Sequence, residues 1–401
     1  MTWRRTKVGN IASVSYGFTA KASFEVSGPK FLRITDIQND RVEWTDVPYC
    51  SIGDKDHSKQ KLLNDDIVFA RTGATTGKSY IVKAPPNAVA ASYLIRLRVK
   101  DPQVLPDFVA KYFQTEEYWR HVNAGVSGSA QGGFNASKLS NLAISLPPLP
   151  EQKRIVAILD EAFEGIDAAI ANTQANLAAS RELFDSYLDR VFANRDGNWT
   201  EKKLEDLCKK ITVGHVGSMA KRYQSRGIPF LRSQNVLPFC ISLKDVKYID
   251  EKFNSELKKS ELHPGDVAIV RTGYPGTAAV IPESLSMCNC SDIVIAKTKD
   301  QLSPHFLTII LNSTFGRKLV QANLVGAAQK HFNVTAAKNA LVPLPNIIKQ
   351  QEIIEQADKI LHETRRLEII SNKKLDALHE LKQSILAKAF RGELAQEEIA
   401  A

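Results

Sequence analysis

Asp66-Ile67-Val68-Phe69-Ala70-Arg71-Thr72-Gly73 is answered two hundred residues later by Asp266-Val267-Ala268-Ile269-Val270-Arg271-Thr272-Gly273. In both copies an apolar run ends in an arginine, a hydroxyl and a glycine, the pattern of a buried strand opening into a polar turn. Working outward, the correspondences keep their order. Trp3, Val8 and Ile11 match Trp199, Leu204 and Leu207, and Pro29-Lys30-Phe31-Leu32-Arg33 matches Pro229-Phe230-Leu231-Arg232. Gln131, Phe134 and Asn135 match Gln329, Phe332 and Asn333; Leu146-Pro147, Gln152, Ile155 and Phe192 match Leu344-Pro345, Gln350, Ile353 and Phe390. The offset falls from 200 at the arginines to 198 at the glutamines. The chain is one unit written twice, and a repeat of that length governs the reading of everything inside it.

Each unit opens with about 145 residues of mixed character. Short β-branched runs (66–69, 93–99, 292–296) alternate with turns, and two windows, 107–122 and 304–323, read as helical. A proline cluster then closes the block (Pro147, Pro148, Pro150; Pro343, Pro345) and starts a long uninterrupted segment, because proline suits a helix's first turn and not its interior. In the first segment Ile155, Leu159, Ala162, Ile166, Ile170, Thr173, Leu177, Phe184, Leu188 and Val191 recur at steps of three and four. In the second, Ile353, Ala357, Ile360, Thr364, Leu367, Leu375, Leu378, Leu381 and Ile385 do the same. These are coiled-coil stripes, and a forty-residue helix is about 60 Å long. A lone helix would leave its stripe wet, so the two are expected to pair, antiparallel, with one globular block at either end of the rod; the alternative is that each helix packs on its own domain. The expected fold is α+β: two α/β domains (1–150 and 196–348), each followed by a long helix (151–195 and 349–395), with a tail at 396–401 and an internal pseudo-twofold repeat.

Bulk composition narrows the classes. The chain has 401 residues, 43% hydrophobic and 24% charged, which is ordinary globular usage. Its longest apolar stretch, around Phe306 to Leu311, is too short to cross a bilayer, its first ten residues are polar and basic, and a cytoplasmic protein without membrane association is expected. Five scattered cysteines argue against a disulfide framework, and Cys288-Asn289-Cys290 has no second pair at metal-ligand spacing. The net charge of +9 is unevenly spread. Residues 1–150 carry 19 basic against 13 acidic residues and 199–348 carry 20 against 12, whereas 151–198 carry 5 against 9 and 349–401 carry 9 against 10. Affinity for a polyanion therefore belongs to the two globular blocks.

No catalytic constellation stands out. Arg71-Thr72-Gly73-Ala74-Thr75-Thr76-Gly77-Lys78-Ser79 imitates a phosphate-binding loop. That loop needs four residues between its first glycine and the Gly-Lys-Ser, however, and only three intervene here; the second copy lacks the lysine altogether. The eight histidines are dispersed and none has a partner in the other copy. No serine–histidine–aspartate ordering, metalloprotease motif, dinucleotide fingerprint or adenine-methyltransferase motif is present.

What is duplicated is polar and suited to binding. Arginine reads guanine edges bidentately or clamps a phosphate, and glutamine and asparagine suit adenine. The candidate DNA-binding residues are Lys21, Arg33, Arg71, Thr72, Thr75, Lys78, Gln131 and Asn135 in the first block. In the second they are Lys221, Arg222, Tyr223, Arg232, Arg271, Thr272, Tyr274, Gln329, Lys330 and Asn333. Residues common to two domains that read different sequences should hold the fold or the phosphates, and base choice should rest on unshared ones such as Lys21, Lys78, Lys221, Arg222, Tyr223 and Tyr274. A stand-alone bivalent DNA-binding regulator would share these features, and an enzyme with an unfamiliar site is a more distant alternative.

The arrangement resembles, over essentially its full length, the specificity subunit of Type I restriction-modification enzymes. The closest local likenesses are Leu146-Pro147-Pro148-Leu149-Pro150-Glu151-Gln152-Lys153-Arg154-Ile155 at the first domain exit and Ser384-Ile385-Leu386-Ala387-Lys388-Ala389-Phe390-Arg391-Gly392-Glu393-Leu394 at the end of the second helix. The second exit, Leu344-Pro345-Asn346-Ile347-Ile348-Lys349-Gln350, lacks the glutamate, so its helix is expected to be capped differently. The resemblance implies a non-catalytic subunit binding double-stranded DNA at an asymmetric site of two half-sites with an unread spacer. It implies two methyltransferase subunits that use S-adenosylmethionine to methylate adenine at N6. Restriction subunits using ATP and Mg2+ would complete the nuclease, so this chain itself would bind no cofactor and no metal.

Overall fold

The structure, a computed structural model, describes residues 3–38, 41–127, 134–195, 197–219, 221–324 and 331–394. It divides into two compact units, Met1–Thr173 with Lys373–Ala401, and Gln174–Asn372. The division falls inside both long helices, Leu149–Ala193 and Ile347–Arg391. Each unit therefore holds one globular domain, the first part of the helix that leaves it and the last part of the other helix. Both helices begin two residues earlier than their sequence boundaries. At the second exit Asn346, which stands where the first copy has Pro148, accepts the Lys349 amide on its Oδ1 at 2.9 Å, a side-chain cap.

In the first unit four antiparallel strands run in the order Ala12–Tyr16, Leu94–Val99, Ile67–Ala70, Ser79–Ile81. Ile67–Ala70 is buried along its whole length, which is why its sequence is continuously apolar rather than alternating. Beside this sheet Lys30–Leu32 pairs in parallel with Ala88–Ala90, and Arg4–Lys7 pairs antiparallel with Ala143–Leu146, tying the domain's entry to its exit. The second unit repeats the plan with Cys208–Val213, Ile293–Thr298, Val267–Val270 and Ala278–Val280. Its parallel pair is Ile228–Leu231 with Asn289–Cys290, and its closing pair is Thr200–Lys203 with Leu341–Leu344. The aspartate opening each central strand is an anchor: Arg98 grips Asp66 with two bonds of 2.7 Å, and Lys297 pairs with Asp266.

The two windows read as helical each hold two helices. Pro106–Tyr112 is followed by Glu116–Ser127, and Pro304–Asn312 by Thr314–Ala322. Thr115 and Ser313 make the break, their hydroxyls accepting the amides of Tyr118 (3.2 Å) and Gly316 (3.0 Å) and so restarting the chain as a capped helix.

The long helices run antiparallel within each unit. In the first, Lys382 Nζ lies 2.7 Å from Asp167 and 4.6 Å from the Phe163 ring centroid, and Arg154 donates to the Leu394 carbonyl at 3.0 Å. In the second, Arg181 bonds Glu368 at 2.6 Å and Thr364 donates to the Ser180 carbonyl at 3.3 Å. The stripes pair helix with helix as expected, and they also enter the domain cores. Ile155, Leu159, Phe163, Leu386 and Ala389 belong to the core of the first domain, and Phe184, Leu188, Phe192, Ile353, Ile354 and Ala357 to that of the second. Each buried Leu, Ile or Phe there is worth about 1.5–3 kcal/mol. Leu367 and Leu381, read as stripe positions, are 46% and 47% exposed, while Thr173, Ser180 and Thr364 are buried.

Candidate nucleic-acid interface

The phosphate-loop imitation is a hairpin. Arg71–Lys78 joins two antiparallel strands, with Gly77 donating to the Ala70 carbonyl at 2.8 Å and Lys78 to the Thr75 carbonyl at 2.9 Å. No helix follows it, so its amides are not gathered at a helix N-terminus as phosphate binding requires. The second copy, Arg271–Thr277, turns the same way, with Gly276 donating to Val270 at 2.9 Å. Gly77 and Gly276 have φ of +88° and +91°, and a Cβ there would stand 2.6 Å from Val122 Cγ1 or 2.7 Å from Val320 Cγ2. Both hairpins are thereby pressed against their own domain's helix.

Hydrogen bonds gather most of the candidate residues at one end of each domain. In the first, the Arg71 carbonyl accepts the Phe134 amide at 3.0 Å, which fixes Asn135 beside it. The Arg71 guanidinium lies over the Tyr16 ring, 4.9 Å from its centroid, and reaches the Ser92 carbonyl at 3.5 Å. Tyr16 in turn accepts the Ala136 amide on its hydroxyl at 3.3 Å. The parallel strands Lys30–Leu32 and Ala88–Ala90 run out at the same end into Arg33 and the Ser92-Tyr93 turn, where Ala91 donates to Leu32 at 2.9 Å. The loop holding exposed Lys21 also leaves from there, Phe18 being bridged to Ala91.

The second domain assembles the same end from different side chains. Phe332 donates to the Arg271 carbonyl at 3.1 Å, and the parallel strands run out into Arg232 and Ser291-Asp292. Asp292 Oδ1 bonds Arg271 Nη1, and its Oδ2 accepts the Thr272 hydroxyl at 3.2 Å. The loop with Lys221, Arg222 and Tyr223 leaves beside His215, which is bridged to Ser291. Lys221 and Arg222 are exposed; the Arg222 guanidinium lies 4.6 Å from the Phe253 ring centroid, and the Tyr223 ring packs on Phe230. Tyr274, at the hairpin tip, is 85% exposed.

Several shared residues have structural partners. Asn135 and Asn333 cap the helices Ala136–Asn141 and Val334–Asn339, each accepting an amide at 2.9 Å. Phe134 and Phe332 are fully buried. Arg33 is chelated by Asp36, with Nε at 3.0 Å and Nη2 at 2.6 Å, and this hydrogen bond holds its guanidinium above the usual arginine range. Arg232 donates to the Asp245 carbonyl at 2.7 Å while its buried Nε lacks a partner. Thr72 and Lys78 are half-buried and Thr75 exposed. Gln131, Gln329 and Lys330 lie outside the described residues. Among the described residues no group of three or more histidines, cysteines or carboxylates could hold a metal ion, and no helix is long and apolar enough to cross a membrane.

The sequence reading missed Tyr16, Ser92 and Asp292. Asp292 had one visible signal. Ala91 corresponds to Ser291 at an offset of 200 and Leu94 to Ile293 at 199, so the second copy's turn is one residue shorter. Asp292 closes that shorter turn in the left-handed region, at φ +54°, a conformation aspartate tolerates better than most residues.

The family model for the Type I restriction modification DNA specificity domain matches residues 2–177 and 196–378. The specificity subunit of the type I restriction enzyme EcoKI from Escherichia coli strain K12 is 24% identical, over 98% of this chain and 89% of its own length. That of EcoBI from Escherichia coli is 22% identical over 98% and 86%. In fold the chain is similar to one from a type I R-M system solved to show its complex assembly and conformational transition, with TM-score 0.75, 18% identity and 98% of each chain covered. It is also similar to the HsdS subunit from Thermoanaerobacter tengcongensis, with TM-score 0.55, 18% identity and coverage of 98% and 97%.

Proposed function

The chain belongs to the Type I restriction modification DNA specificity family, and from that premise we propose how its two domains divide the work of recognition. It is the DNA-specificity subunit of a Type I restriction-modification complex, and it contributes recognition rather than catalytic groups. Each domain reads one half-site, and because the two readers differ, the site is asymmetric, with an unread spacer between the halves. The observation that carries this reading is the duplicated strand end. The same backbone plan carries Arg71 on Tyr16 in one copy and Arg271 on Asp292 in the other, with unrelated loops at Lys21 and at Lys221-Arg222-Tyr223. A shared scaffold with exchanged side chains presents two base-edge patterns from one docking geometry.

Two modification subunits bring S-adenosylmethionine and methylate adenine at N6, and restriction subunits bring ATP and Mg2+. The more acidic long helices are poor ligands for DNA and suit the protein partners, while the two basic domains supply the phosphate attraction that gives such complexes their salt dependence. The complex acts on host DNA in the cytoplasm. The experiment is co-purification of the chain with its methyltransferase, followed by methylation mapping. A stable complex with two methyltransferase copies and N6-methyladenine at a split asymmetric motif is expected. Tight specific binding by the lone chain, with no methyltransferase bound, would make it a stand-alone regulator instead.

A further inference from the structure

The Arg-Thr pair common to both domains is held in two unlike ways. Among the described residues the Arg71 guanidinium rests on the face of Tyr16 with no carboxylate paired to it, and its one hydrogen bond to an oxygen is the 3.5 Å approach to the Ser92 carbonyl. Arg271 is bound end-on by the Asp292 carboxylate, which also takes the Thr272 hydroxyl. The difference is built into the backbone: the turn that presents Ser92-Tyr93 in the first domain is shortened in the second to the single left-handed residue Asp292. Asp292 is itself partly open, its side chain 40% exposed against 24% for Arg271, so the ion pair reaches the surface at the strand end where the other candidate residues gather.

Two like arginines on one scaffold would both seek phosphate. A carboxylate at hydrogen-bond distance cancels that attraction in one of them, because it neutralises the guanidinium and repels an approaching phosphate oxygen. A fixed Arg–Asp pair instead offers N–H donors beside carboxylate lone pairs, which suits the donor–acceptor pattern of a base edge, the aspartate accepting from an exocyclic amino group.

We infer that Asp292 is a specificity-determining positioning residue of the second domain, keeping Arg271 and Thr272 off the DNA backbone and presetting them to read a base, whereas Arg71 in the first domain is a phosphate contact. The inference rests on the DNA-specificity reading above. The two copies of the motif are then not equivalent, and the charge the domains place on DNA differs by one at this point.

The test uses the full chain assembled with its modification subunits and a synthetic duplex carrying the site mapped for the unaltered complex. The affinity is followed from about 50 to about 200 mM KCl, where each phosphate contact adds about 0.9 to the slope of log K against log salt. Failure of the unaltered complex to select a bipartite site would overturn the specificity reading itself, before any variant is made. Given that site, Asp292→Asn should steepen the slope by about one and relax preference at one position of the second half-site, leaving the first unchanged; adding Arg271→Gln should return the slope. An Asp292→Asn complex whose slope matches the unaltered one would overturn the inference, whatever happens to its affinity. Should that variant not fold, the arginines decide it. Arg71→Gln should flatten the slope by about one and Arg271→Gln should not, and equal flattening by both would overturn the inference.

Discussion

Gln152 and Gln350, 198 residues apart in the sequence, make the same three hydrogen bonds. Gln152 Oε1 accepts the Leu105 amide at 2.8 Å while its Nε2 donates to the carbonyls of Gln103 (2.9 Å) and Pro147 (2.8 Å). Gln350 Oε1 accepts the Ser303 amide at 2.9 Å and its Nε2 donates to Gln301 (2.9 Å) and Pro345 (3.0 Å). Both side chains are buried, and each latches the start of a long helix to the turn that opens a domain helix. Gln152→Ala should leave a buried amide and two carbonyls unpaired and destabilise the first unit by about 2–4 kcal/mol. Hydrogen exchange should show the loss at Leu105 and its neighbours and none at Ser303.

The hairpin glycines separate two kinds of strain. At Gly73 (φ +82°) no atom lies within 4 Å of an added Cβ, whereas Gly77 faces Val122 at 2.6 Å. Gly73→Ala should therefore cost about 1 kcal/mol for backbone alone, and Gly77→Ala clearly more, since the helix bearing Val122 must also move. Gly276→Ala should behave like Gly77→Ala. Denaturant midpoints of the three variants check the order.

The caps predict stability effects without a change of specificity. Asn135→Ala and Asn333→Ala should each cost about 1 kcal/mol, and Asn→Asp at either site should restore it. Methylation mapping should return the unaltered motif for all four. A changed base preference would show that the asparagine side chain reads DNA rather than its own helix.

Tyr16 supports Arg71 without neutralising it. Tyr16→Ala should weaken binding at the first half-site roughly two- to fivefold, the value of about 0.5–1 kcal/mol expected for an exposed cation–π contact. Tyr16→Phe should lose only the hydroxyl's bond to Ala136 and bind nearly as well. Titrations against duplexes altered in one half-site at a time separate the two domains.

The cysteines make a pH-dependent probe. All five are unbridged; four are buried, and burial pushes the Cys208 and Cys288 thiols up to about 12 and Cys290 well above its usual range. Because the reactive form is the thiolate, a thiol reagent at pH 8 should label half-buried Cys240 first and the others only as the fold opens. A thiol that ionises near 8.5 when unfolded and near 12 when folded stabilises fully below 8.5 and progressively less above it. Denaturant resistance should therefore decline between pH 8.5 and 12, and labelling of Cys208 and Cys288 should track unfolding rather than alkalinity alone.

The sequence by itself determined the duplication, the two mixed domains and the long helices that follow them, because repeats and hydrophobic period are properties of the chain taken in order. It located the strand Ile67–Ala70 to within a residue and pointed to its repeat, Val267–Val270, since a fully buried strand must be apolar throughout. It picked out Arg71, Arg271, Gln152, Gln350, Asn135 and Asn333 as duplicated without separating their roles. That separation belonged to the tertiary structure. Leu105, on Gln152, lies 47 residues away in sequence, Asp292, on Arg271, lies 21 away, and Tyr16, beneath Arg71, lies 55 away. Hydrogen bonds and ring contacts act over a few ångströms, so only the folded sheet decides which polar side chain is spent on its own scaffold and which is left to meet DNA. The same holds for Leu367 and Leu381, whose helical spacing matches the stripe but which the fold leaves 46% and 47% exposed.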